Sequence, residues 1–225
     1  ASRGASALPR RGCNSTLPPW MIGAWRRLRA RPGKGRDVLE VVAACIRLRE
    51  PVLMIVARRN LVWPLTLFPE RQSVHSPSDF VAATADGIED LRVLAVEPPG
   101  VRPPGDWRND PARERVHYRD LSPLLWRLAL QGPRTTLLHE IDGHVRYRAV
   151  RRDGEPLGAP GALGPAVNRL HDEAASLAEM ARWPGLSTER ASRLLNALYL
   201  NGQLMVLRSA PAARPLLGGW WSRRG

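Results

Sequence analysis

Apolar residues first recur at helical spacing behind Asp37, where Leu39, Val42, Ala43 and Ile46 lie three and four apart. Asp37 suits an N-cap and Pro51 a stop. Val52 to Ala57 is a continuous apolar run with β-branched members, which predicts a buried strand. Arg58-Arg59-Asn60 turns the chain, and Leu61-Val62-Trp63 returns as a hairpin partner. Pro64, lacking an N–H, marks an edge or an end. Ser76-Pro77-Ser78-Asp79 opens a helical turn carrying Phe80 and Val81, and Leu91 to Val96 reads as a further strand.

Pro98 to Pro111 is rich in Pro and Gly and is the best internal boundary in the chain. Beyond it a similar order returns. Leu121, Leu124, Leu125 and Leu128 form a helical stripe that Pro133 closes, Thr135 to Glu140 reads as a strand, Asp142-Gly143 as a turn, and Val145 to Val150 as the returning strand. An offset of 82 residues superposes Leu39 on Leu121, Val42 on Leu124, Ile46 on Leu128, Pro51 on Pro133 and Asn60 on Asp142. A duplicated helix–hairpin unit, in half-domains 37–98 and 112–160, would give this match. So would convergence on a common pattern.

The third patterned stretch is Ala175 to Ser209. A short helix from Ser176 to Arg182 places Leu177, Met180 and Ala181 on one side, and Trp183-Pro184-Gly185 breaks it. Ser187 caps a longer helix with Ala191, Leu194, Leu195 and Leu198 inward and Arg190, Arg193 and Asn196 on the opposite stripe. Asn201-Gly202 ends it, and Leu204 to Leu207 is a strand. This succession resembles the helix-turn-helix and first wing strand of a winged-helix domain, here 161–209. Winged helices read DNA or dock proteins, so the resemblance implies a binding module with two classes of target.

Charge sharpens that choice only partly. The net +13 is concentrated at the ends: residues 1–36 carry +9 with no acid, residues 214–225 carry +3, and the body between them is +1. Basic tails favour nucleic acid or anionic surfaces, while solvated, disordered ends are the plainer reading. Met21, ahead of an Arg-rich segment, is a candidate natural start, and an acid-free Arg/Ser-bearing N-terminus also looks like an organellar targeting segment. Trp220-Trp221 lies in the basic tail 210–225, and either anchors to a partner or membrane interface or folds back on the body.

Catalytic signals are sparse. His139 and His144 are five apart with Asp142-Gly143 between them, the wrong spacing for two ligands on one helix face. A hairpin could bring them across from one another, but no third ligand is evident. Gly33-Lys34-Gly35 lacks the rest of a phosphate loop, and no nucleophile elbow or dinucleotide fingerprint occurs. His75, His117 and His171 are scattered and read as structural or surface residues. Cys13 and Cys45 have neither metal nor disulfide-framework spacing, so a reducing cytoplasm is the default. No apolar run reaches spanning length.

The expectation is therefore an α+β chain: an α+β domain over 37–160 followed by a winged helix. Its expected function is that of a cytoplasmic DNA-binding transcription regulator whose α+β part senses a ligand or partner. Arg182, Ser187, Arg190, Arg193, Asn196 and Arg208 are the candidate DNA contacts, since arginine pairs with guanine edges or phosphates and asparagine with adenine. The alternative is an adaptor whose winged helix docks protein, and an enzyme with an unfamiliar site is the remote third. No catalytic residue, metal or cofactor is assigned.

Overall fold

The computed structural model of the chain describes residues 37–151 and 163–208. The expectations for the two basic tails and for Cys13 lie outside the described residues. The architecture is mixed α+β, with a five-stranded antiparallel sheet and a two-stranded ribbon.

Helix α1, Val38–Leu48, begins where Asp37 accepts from the Leu39 N–H and ends at Arg49 in the left-handed region. It is buried on almost every side, Val38, Val42 and Cys45 completely, so it is a central helix and not a surface one. Strand β1, Val52–Arg58, pairs through the Arg59-Asn60 turn with β2, Leu61–Phe68, from Val52↔Leu67 to Arg58↔Leu61. Strand β2 thus runs straight through Pro64. At that point β2 has a partner on one side only, because its pairing with β3, Ser73–His75, starts at Thr66. A residue without an N–H is tolerated in such a place.

A single 3-10 turn, Pro69–Arg71, joins β2 to β3. Helix α2, Phe80–Ala83, is capped by Asp79, and its Phe80 ring meets Trp63 edge-on at 5.5 Å. Strand β4, Arg92–Glu97, pairs with the other side of β1. Arg58, only 5% exposed, holds the intervening loop: Nη1 and Nη2 donate to Asp86 at 2.6 and 3.0 Å and Nε donates to Asp90 at 2.9 Å. A buried guanidinium is stable there because both carboxylates satisfy it.

The Pro/Gly-rich connection does not divide the chain. After it come α3, Pro111–His117, and β5, Tyr118–Asp120, and β5 pairs with β3, giving the sheet order β4-β1-β2-β3-β5. The expected half-domains 37–98 and 112–160 therefore share one sheet. Three residues, Tyr-Arg-Asp, are too few and too polar to announce a strand in sequence.

The duplication is likewise overturned. Helix α4, Leu121–Gln131, forms as expected behind its N-cap Asp120. Thr135 to Glu140, however, is an irregular loop, and β6, Val145–Ala149, pairs instead with β7, Leu204–Arg208. His139 and His144 are therefore not opposed across a hairpin. The loop has a different job: it lies over α7, and its Leu137 and Leu138 are buried together with Ile141 just beyond it.

The C-terminal helices are α5, Gly164–Asp172, α6, Leu177–Met180, and α7, Thr188–Leu200. Ser176 and Glu179 form a reciprocal capping box that starts α6. Gly185 takes φ +74° in the turn, and Ser187 caps α7 by accepting from the Arg190 N–H. Ala175 exchanges backbone hydrogen bonds with Tyr147 at 2.7 and 2.9 Å, so the order across the ribbon is Ala175, β6, β7. Helix α7 packs against α4, which places the C-terminal helices and the sheet portion in one compact unit. No helix among the described residues is long and apolar enough to cross a membrane.

Candidate functional site

The stripe Arg190, Arg193, Asn196 was expected to face solvent. The structure turns two of its three members inward. Asn196 is completely buried: its Oδ1 accepts from the Leu138 N–H and its Nδ2 donates to the Thr136 carbonyl, both at 2.9 Å. One side chain thus replaces the β partner that the 136–138 segment lacks. Arg193 has a side chain 14% exposed, and its Nη1 donates to the carbonyls of Leu130 and Gly132 at 3.0 and 2.7 Å. Those carbonyls stand at the C-terminal end of α4, where acceptors lack helical donors and the helix dipole favours a cation. Glu189 receives the Nε of the same arginine at 3.0 Å.

The physical reason for this correction is that α7 is covered twice. Ala191, Leu194, Leu195 and Leu198 fill one side, while α4 and the 132–141 loop cover the other. The remaining candidates stay at the surface. Arg182 and Arg190 are exposed, the latter donating to the Gly185 carbonyl; Ser187 is committed to its cap; exposed Arg208 donates to the Glu140 carbonyl at 2.8 Å. Of the six, Asn196 and Arg193 are thus committed to backbone carbonyls and largely withdrawn from solvent.

A basic surface does exist on the ribbon, and the sequence reading missed it. Register places Arg146 opposite Leu207 and Arg148 opposite Met205, and all four are exposed. Met205 and Leu207 keep 47% and 39% of their surface, which makes the patch mixed apolar and basic. The arginines lean toward the end of α5: Arg148 Nε donates to the His171 carbonyl, and Arg146 donates to the Ala174 carbonyl and pairs with Glu179. Alternation in Val-Arg-Tyr-Arg-Ala was the available signal, with buried Tyr147 facing in and the arginines facing out.

Two cavities lie at the β3–β5 pair. The smaller, about 340 Å³, is walled by Leu65, Val74, Phe80 and Leu124, with Arg119 and Ser76 supplying polar atoms. Ser76 Oγ and Arg119 Nη1 are buried there without hydrogen-bond partners, while Arg119 Nε pairs with Asp79 at 3.3 Å.

The larger is a cleft of about 790 Å³ between the 99–110 loop, α3 and the β3–β5 edge. Here the structure brings together two histidines that are 42 positions apart in sequence. The His75 and His117 rings have centres 5.7 Å apart, and Tyr118 lies edge-on to His75 at 4.9 Å. Burial, and then the neighbouring His117, hold His75 below the usual histidine range. Burial, followed by Glu114 and Asp106, pushes the Tyr118 phenol up, and its hydroxyl donates to the Arg102 carbonyl at 2.6 Å. The Nδ1 of His117 is buried with no hydrogen-bond partner. Arg102 and Arg108 also line the cleft, Arg108 with its guanidinium 5.0 Å from the Trp107 ring centre.

No group of three His, Cys, Asp or Glu among the described residues is placed to hold a metal ion. No family model, curated protein or solved structure matches the chain.

Proposed function

We propose that this protein is a cytoplasmic, non-catalytic adaptor that docks a protein partner through the β6–β7 ribbon, and that its C-terminal part is a modified winged helix. The helix order α5, α6, α7 followed by β7 supports the winged-helix reading. Its modification is the strand beside β7. That strand is β6, which precedes the helices in the chain, whereas a winged helix pairs its first wing strand with one that follows.

One observation carries the choice of adaptor over DNA reader. Asn196 and Arg193, the groups best suited to base edges, are spent on the protein's own backbone. A reading helix must insert an unencumbered face into the major groove. The ribbon exposes a mixed patch of Arg146, Arg148, Met205 and Leu207. Arginine and methionine beside apolar area is the composition of a protein interface, and acidic groups on a partner would complement it.

The test is photo-crosslinking from position 205 in the full chain, combined with selection from a random duplex pool. The adaptor reading expects one discrete cross-linked protein that disappears on Arg148→Glu, and no enriched duplex sequence. Non-selective retention of DNA by the basic residues 1–36 is expected and is not a preference. An enriched duplex whose binding is lost in Arg190→Ala or Arg208→Ala would overturn the reading.

A further inference from the structure

We propose that the cleft between the 99–110 loop and the β3–β5 edge binds a small phosphate-bearing molecule, its oxyanion held among Arg102, Arg108 and the paired imidazoles of His75 and His117. The inference stands apart from the adaptor reading, because the cleft and the ribbon share no residue.

The first reason is the balance of committed and uncommitted groups. Two acids line the cleft, and both accept from its own walls. Glu114 Oε1 accepts from the Gly105 N–H at 2.8 Å and Asn109 Nδ2 at 2.7 Å. Asp110 Oδ1 accepts from the Ala112 N–H at 3.0 Å as the cap of α3. Neither guanidinium, by contrast, has a carboxylate partner among the described residues, and His117 Nδ1 has no partner at all. The side chains on the cleft wall that lack an acid or hydrogen-bond partner are thus nitrogen-bearing ones.

The second reason is shape. Two arginines on the loop and two imidazoles on the sheet edge and α3 approach from different elements. A planar carboxylate offers two oxygens, whereas a phosphate ester offers three, spread tetrahedrally, together with up to two charges. The cleft exceeds what the phosphate alone would fill, and Pro99, Gly100, Val101 and the Tyr118 ring leave an apolar wall for the organic part.

Charge then predicts a pH dependence. Around His75 the charged and titratable groups are His117 and Glu114 from α3, Tyr118 from β5, and Arg102, Arg108, Asp110 and Asp106 from the loop, Asp106 acting on Tyr118; β2 opposes it with Thr66. With both imidazoles neutral, Arg102 and Arg108 are opposed by Glu114, Asp110 and the nearby Asp106, so each histidine protonation moves the cleft toward positive charge. Anion binding therefore favours the protonated imidazole and, reciprocally, raises its pKa.

The experiment titrates the full chain with phenyl phosphate while following the His75 and His117 imidazole NMR signals, assigned with His75→Gln and His117→Gln. We expect saturable shifts of both signals with a Kd on the order of 0.1–1 mM, weaker binding at about pH 8 than at about pH 6.5, and weaker binding of benzoate than of phenyl phosphate. The Arg102→Ala/Arg108→Ala double variant should bind about tenfold or more weakly with an unchanged thermal midpoint. That midpoint is expected because Tyr118 bonds the Arg102 backbone and not its side chain. Equal affinity in the double variant would assign the anion to the Arg-rich residues 1–36 and overturn the proposal. Unshifted histidine signals, or a preference for benzoate, would overturn it equally.

Discussion

Arg193 caps the helix that ends at Gly132: its Nη1 reaches the Gly132 carbonyl at 2.7 Å and the Leu130 carbonyl at 3.0 Å. A residue 61 positions along the chain thereby completes the C-terminus of α4. Arg193→Ala should cost about 1.5–3 kcal/mol in a urea unfolding experiment, the range for hydrogen bonds to a charged group. Arg190→Ala, at an exposed position on the same helix, should stay within about 0.5 kcal/mol. Equal small effects would mean that the Arg193 contacts contribute nothing.

Gly132 itself should resist substitution. A Cβ there collides with the Leu128 carbonyl oxygen, which is backbone and cannot swing aside. Gly132→Ala is expected to destabilise by more than about 1 kcal/mol, although its φ of −69° is one that alanine readily adopts. A thermal midpoint equal to that of the unaltered chain would contradict this.

Acid should expose the Arg58 pair. Hydrogen bonding from Arg58 holds the Asp86 carboxyl below the usual range, aided by the charges of Arg58 and Arg59 and opposed by desolvation. A carboxylate with a depressed folded pKa contributes stability that is fully present above its unfolded value, about 3.9, and is lost as pH falls through the folded value. Asp86→Asn should therefore lower stability by a constant amount between about pH 7 and pH 5 and converge with the unaltered chain as pH falls through the depressed folded value of Asp86. A difference that persists undiminished in strong acid would contradict the assignment.

Cys45 offers a chemical readout of the core. Burial, and secondarily Glu50, push its thiol up to about 12, and its Sγ donates to the Glu50 carbonyl. In a Cys13→Ser variant at about pH 8, an aromatic disulfide reagent should label nothing until denaturant is added. Rapid labelling of the native protein would show that α1 is not closed over.

Much of the fold could be read from local pattern. Asp37, Asp79, Ser187 and Gly202 end or begin elements as their chemistry dictates, and the β1–β2 hairpin follows from an apolar run on each side of Arg59-Asn60. What sequence could not carry was partner choice. Thr135 to Glu140 has strand-like character, yet β6 takes β7 as its neighbour from about 60 positions away. The same limit hid the burial of Arg193 and Asn196. An Arg/Asn stripe opposite a leucine face looks solvated until a second helix is known to lie on it. His75 and His117 each look unremarkable, and only the pairing of β3 with β5 brings them together.

We propose that Arg193 and Asn196 of α7 tie the protein's own backbone together in place of reading DNA, and Asn196→Ala is the decisive change. The change removes both hydrogen bonds to the 136–138 segment and leaves the buried Leu138 N–H without an acceptor. The account predicts a loss of about 2–3 kcal/mol in urea unfolding, with retention of duplex DNA unchanged and without sequence preference before or after the change. Unaltered stability together with loss of a sequence-selective DNA complex would contradict it.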